Sequence, residues 1–62
     1  MFEKLLKEIE YAKTATFKRQ SLYHEYGRIT MARELGAITQ NEYMELNHAC
    51  VYDGINNPKH YD

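Results

Sequence analysis

His48 and Cys50 are the only close His/Cys pair in this chain, and their residue types suit nucleophilic chemistry. A thiolate works as a nucleophile when a base stands within hydrogen-bond reach and a third group holds that base. Residues two apart on a helix point about 200° away from each other, so these two side chains diverge. Cys50 falls on an apolar stripe with Leu46 and is expected to be a small buried hydrophobe, as free cysteine usually is. A metal would have to draw on His24, His48, His60, Cys50 and carboxylates. None of them shows the paired spacing of structural zinc ligands. No P-loop, glycine-rich phosphate cradle or serine elbow is present. The carboxylates are interleaved with Lys and Arg, which gives no reason for the raised pKa that general-acid work needs. Catalytic, cofactor and metal residues are therefore all expected to be none, and the chain not to be an enzyme.

The elements that would position any site must come from 62 residues, which allow one domain at most. A chain this short buries only about 60% of its unfolded surface. It usually needs disulfides, a metal or a partner subunit to stay folded. Cys50 is the single cysteine, so no disulfide forms within the chain. A lone cysteine points to a reducing, cytoplasmic setting. Glu3, Lys4, Lys7, Glu8, Glu10, Lys13, Lys18 and Arg19 make the first twenty residues too charged for a signal peptide or a membrane span. Because it starts at Met1, the chain is expected to be a whole protein.

No Gly or Pro interrupts the run from Phe2 to Tyr26. Phe2, Leu5, Leu6, Ile9 and Ala12 recur at helical spacing, with charged residues on the other faces, and predict a first helix over about 3–16. Thr14, Thr16 and Ser21 are weak helix formers. A break near Lys18–Gln20 is expected, with a second helix over about 21–35 carrying Leu22, Tyr26, Ile29, Ala32 or Arg33, and Leu35. The alternative is one fused helix from Phe2 to Leu35, a rod of roughly 50 Å that would call for a dimer. Gly27 costs up to about 1 kcal/mol relative to Ala inside a helix, which suggests close helix packing there.

Leu35-Gly36-Ala37-Ile38-Thr39-Gln40-Asn41-Glu42-Tyr43 is the clearest local signal. Gly36 suits a left-handed C-cap, Thr39 an N-cap, Glu42 the far side of a capping box, and Ile38 with Tyr43 a hydrophobic staple. A third helix follows over about 39–53 with Tyr43, Leu46 and Cys50 inward, ending at a second C-cap pattern, Asp53-Gly54. The fold class is thus all-α, a small three-helix bundle or helical hairpin. Residues 1–55 form the domain and 56–62 a loose, flexible tail, since Asn57 precedes Pro58 and there is little to bury.

A helix–turn–helix corner invites a DNA-binding regulator as the alternative function, because Ala32 and Gly36 stand four apart. The would-be recognition helix argues against it. From Gln40 to Tyr52 it has no Lys or Arg and carries Glu42 and Glu45, whereas phosphate neutralisation supplies most of the affinity of such modules. A nucleic-acid partner is not expected on these grounds. The net charge is −1. The middle of the chain holds Lys13, Lys18, Arg19, Arg28 and Arg33 against Glu25, while residues 34–62 are mostly acidic.

Six Tyr and two Phe stand in the chain, with no Trp. Three short helices cannot bury all of these with the aliphatic residues, and Tyr is enriched at protein interfaces. The candidate protein interface comprises Tyr23, Tyr26, Arg28, Glu42, Tyr43, Met44, Glu45 and Tyr52. The acidic third helix would suit a basic groove, the basic middle an acidic face. Excess apolar surface on so small a chain also predicts a homodimer or a tight hetero-complex.

The stretch 35–46 resembles the SHOCT-type short helical hairpin, whose pattern reads G-x-I-T-x-x-E-[FY] between two helices. That resemblance implies a helical hairpin of the kind found at the ends of many bacterial proteins. In style and length the whole chain is similar to short helical proteins of Gram-positive phages and prophages. This likeness implies an accessory factor that binds and inhibits a bacterial host or defence protein, in the manner of anti-CRISPR proteins.

Overall fold

Leu5, Ile9 and Ala12, four and three residues apart, all turn inward, which is the reason the first segment winds as an amphipathic helix. The structure, a computed structural model, describes residues 1–61. Helix α1 spans Phe2–Ala12, α2 spans Lys18–Glu34 and α3 spans Gln40–Asn47. A π-helical segment, His48–Ile55, continues α3, and a 3₁₀ turn, Pro58–His60, follows. Among the described residues there is no strand. The fold is an all-α three-helix bundle in which α2 packs on both α1 and the π-helical segment.

Helices α1 and α2 are separate. The longest dimension is 33 Å and the radius of gyration 10.8 Å, against about 10.6 Å for a compact chain of this length and roughly 50 Å for a fused rod. The break falls at residues 13–17, earlier than Lys18–Gln20, and α1 stops at Ala12 rather than near residue 16. Thr14 accounts for the shift. Its hydroxyl donates to the Tyr11 carbonyl at 2.7 Å and its own N–H donates there too. This is the local competition with helix that Thr offers.

The inward face of α2 is Leu22, Glu25, Ile29 and Ala32. Tyr26 and Leu35, expected inside, face outward, Leu35 at 75% exposure. The position three after Leu22 belongs to Glu25, a charged residue at 8% exposure. Gly27 lies opposite this face, and a Cβ built there meets nothing within 4 Å. The close packing expected at Gly27 is therefore absent within the chain. Gly27→Ala should stabilise the protein by about 0.5–1 kcal/mol, a melting temperature several degrees higher by far-UV circular dichroism. An unchanged or lower value would show that the bare backbone at Gly27 is used.

The α2–α3 corner forms as the sequence predicts. Gly36 takes φ 74°. Ala37 N–H donates to Ala32 O at 2.9 Å and Gly36 N–H to Arg33 O at 3.1 Å, the two bonds of a Schellman ending. Thr39 N–H donates to Glu42 Oε1 at 2.8 Å and Glu42 N–H to Thr39 Oγ1 at 3.1 Å, completing the capping box. Ile38 is buried and Tyr43 packs against the core. Arg33 braces the corner, its Nε donating to Gln40 Oε1 at 3.0 Å.

The third helix does not end at Asp53-Gly54. It runs on to Ile55 with π winding, and Asn56 N–H donates to Val51 O, five residues back. Gly54 has no positive φ. Its Cβ position would lie 3.0 Å from Leu22 Cδ1, so Gly54 is the close-packing glycine. The segment after it is neither extended nor detached. Asn57 Oδ1 accepts from Lys59 N–H at 3.0 Å, and His60 Nδ1 donates to Gly54 O at 2.8 Å, which takes the Nδ1-protonated tautomer. Arg19 donates to Ile55 O at 3.1 Å and lies 4.7 Å from the centre of the Tyr61 ring. Asp62, the last residue of the expected tail, lies outside the described residues.

Candidate functional site

Helix α2 and the π-helical segment present three of the expected interface residues on one surface. Tyr23 and Tyr26, three apart on α2, and Tyr52 on the π-helical segment line a shallow groove of about 280 Å³ together with Asn47, Val51 and Ile55. The three rings are exposed, Tyr23 at 56%, Tyr26 at 39% and Tyr52 at 64%. The His48 ring lies 5.5 Å from that of Tyr52 and 3.4 Å from an Asp53 carboxylate oxygen, at the edge of the same segment. Such a surface offers apolar area with hydroxyls free to hydrogen-bond a partner.

The other expected interface residues go elsewhere. Arg28 turns to the α1 side, where it pairs with Glu8 and approaches Glu25. Glu42 is spent on the capping box and Tyr43 on the core. Met44 and Glu45 are exposed on α3. Most of the basic middle is likewise engaged inside the chain. Lys13 pairs with Glu10 at 3.2 Å, Arg19 holds Ile55 and Tyr61, and Arg33 holds Gln40.

His48 and Cys50 separate as their spacing requires, His48 exposed and Cys50 fully buried. The Cys50 thiol donates to Leu22 O at 3.2 Å. Burial, helped by the Glu25 carboxylate and opposed by Lys13, pushes its pKa from 9.0 up to about 11. The fold therefore favours the neutral thiol, while the unfolded chain loses the proton earlier. The resulting stabilisation is fully present below pH 9 and is lost as pH rises through 11. Urea titrations at pH 8 and near pH 11 should show wild type losing more stability than Cys50→Ala across that interval. Equal losses would remove the linkage.

One feature of the site was missed from sequence. Glu25 lies in the seam between α1 and α2, where a groove of about 980 Å³ runs beside Tyr11, Ala12, Ala15 and Phe17. The signal that would have found it is the spacing Leu22, Glu25, Ile29, Ala32, which puts a carboxylate on the buried stripe. Among the described residues no group of three or more His, Cys, Asp or Glu is placed to hold a metal ion, and no helix is long and apolar enough to cross a membrane. Compared with protein-family models, with curated proteins and with solved structures, the chain has no match.

Proposed function

We propose that this chain is a non-catalytic protein-binding accessory factor that docks its partner on the tyrosine face. The observation that carries the reading is the convergence of Tyr23, Tyr26 and Tyr52, all exposed, from two elements onto one groove. Exposed aromatics gathered in this way are the usual anchors of protein interfaces. The internal engagement of Lys13, Arg19, Arg28 and Arg33 leaves less basic surface for phosphate and favours a protein partner over DNA. The partner proposed is a bacterial host or defence protein, inhibited by a factor that a phage or other mobile element supplies to the cytoplasm. That part rests on likeness of style and length. Self-association through the exposed Met31 and Leu35 is a companion proposal, to be tested by sedimentation equilibrium.

The test is capture from a bacterial lysate, with a nuclease-treated control, by the wild type and by a Tyr23→Ala/Tyr52→Ala double variant. Central aromatic anchors cost about 2 kcal/mol each when truncated. One stoichiometric protein is expected with the wild type, with recovery at least tenfold lower for the double variant. Capture that ignores the two substitutions would sink the tyrosine face. Retention of nucleic acid alone, lost with nuclease, would replace the reading with a DNA-binding regulator.

A further inference from the structure

Two carboxylates share one guanidinium in the seam between α1 and α2. Arg28 Nη1 is ion-paired with Glu8 Oε2 and stands 3.7 Å from Glu25 Oε1. Glu8 Oε2, though sealed from solvent, thus has a cation against it. Glu25 Oε2 is equally sealed and has no hydrogen-bond partner. Lys13 is paired with Glu10, and Lys7, which lines the same groove, is exposed. A buried carboxylate is tolerated when its lone pairs are met by donors or cations, and Glu25 is short of them. It lines the 980 Å³ groove whose walls include Tyr11 and Phe17. Both rings are left outside the core, at 79% and 61% exposure.

We propose that this groove receives an arginine side chain of a protein partner. Its guanidinium hydrogen-bonds Glu25, and its stem and planar face lie along Tyr11 and Phe17. Arginine fits better than lysine because its fork matches a carboxylate, it gives up water more readily, and it stacks on aromatic rings. The Glu25 oxygen is sealed in the free chain, so the arginine reaches it only when the neighbouring Glu8 and Arg28 side chains turn aside; Lys7 and His24 are the other basic groups of the lining. The inference rests on the protein-binding reading but names a different patch. By helical position, Tyr23 and Tyr26 lie on one flank of α2 and His24 and Arg28 on the other.

The test is titration of the isotope-labelled full chain with a capped Gly-Arg-Gly peptide, followed through backbone amide shifts, with the citrulline peptide as the uncharged control. The arginine peptide is expected to shift Glu8, Tyr11, Phe17 and Glu25 saturably in the millimolar range, about 4 kcal/mol of binding. Glu25→Gln should weaken this at least tenfold and Phe17→Ala several-fold, with Tyr52→Ala without effect. Equal response to the citrulline peptide, indifference to Glu25→Gln, or no saturable shift would overturn the proposal. If Glu25→Gln loses the dispersed spectrum of the fold, Phe17→Ala and the citrulline control decide. Failure here with tyrosine-dependent capture intact removes only the arginine groove. Arginine binding without tyrosine-dependent capture removes only the tyrosine face.

Discussion

Leu46→Ala should remove a large share of the chain's stability. Leu46 has no exposed surface and stands where α3 passes into the π-helical segment. Truncating a buried leucine removes its transfer free energy and leaves a cavity, together about 2–5 kcal/mol. A domain of this length has a total stability of roughly 3–9 kcal/mol, at 0.05–0.15 kcal/mol per residue. With no disulfide to hold the unfolded chain compact, the loss takes a large share of that margin. A melting temperature lower by at least about 8 °C follows from the usual 4–8 °C per kcal/mol. Met44→Ala is the control, since Met44 is 59% exposed and should move stability within about 0.5 kcal/mol. Comparable melting of both variants by circular dichroism would show that Leu46 does not hold the core.

Gly54→Ala should destabilise by about 1–3 kcal/mol, the usual cost of forcing an extra methyl into a filled core. The added carbon would meet Leu22 Cδ1 at 3.0 Å, Ala49 O at 3.1 Å and Leu22 Cδ2 at 3.3 Å. Leu22 has no exposed surface and no room to withdraw, and Ala49 O is backbone. The same change at Gly27 has the opposite sign, because nothing stands near it and the helix gains only propensity. Urea midpoints of the two variants should therefore fall on either side of the wild type. A Gly54→Ala midpoint at or above the wild type would mean that the π-helical segment can move off α2.

The legible parts of the fold were those governed by short-range rules. Gly36, Thr39 and Glu42 each fix a few torsions within one turn of chain, so their sequence spacing carries the geometry of the corner. The α1 stripe was legible because Leu5, Ile9 and Ala12 have no polar competitor on their face. What could not be read depended on neighbours distant in sequence. Glu25 looks like a surface residue until Glu8 and Arg28 are seen around it. Gly54 looks like a helix cap until Leu22 is seen against it. The turn after Asn56 looked idle because its partners, Arg19 and the Gly54 carbonyl, are brought to it only by the fold. Of the proposed interface, the sequence offers the tyrosines by type, and their convergence at Tyr23, Tyr26 and Tyr52 on one groove is visible only in the structure. Arg28, Glu42 and Tyr43 have the right chemistry but are occupied at home.

The π winding of His48–Ile55 acts as a phase correction. At about 100° per residue, an α-helix carried from Leu46 to Ile55 would place the two half a revolution apart, with Ile55 facing water. Bonding to the fifth residue back slows the rotation. Cys50 and Ile55, five apart, then return to one side and are both buried. The segment thus holds one residue more than an α-helix would need to reach the same place, and its sequence is out of step with its core by that one residue. Removing a single residue between Cys50 and Gly54 would let ordinary α winding carry the chain to Ile55 in register. In this stretch, deletion is a gentler change than substitution at either buried end.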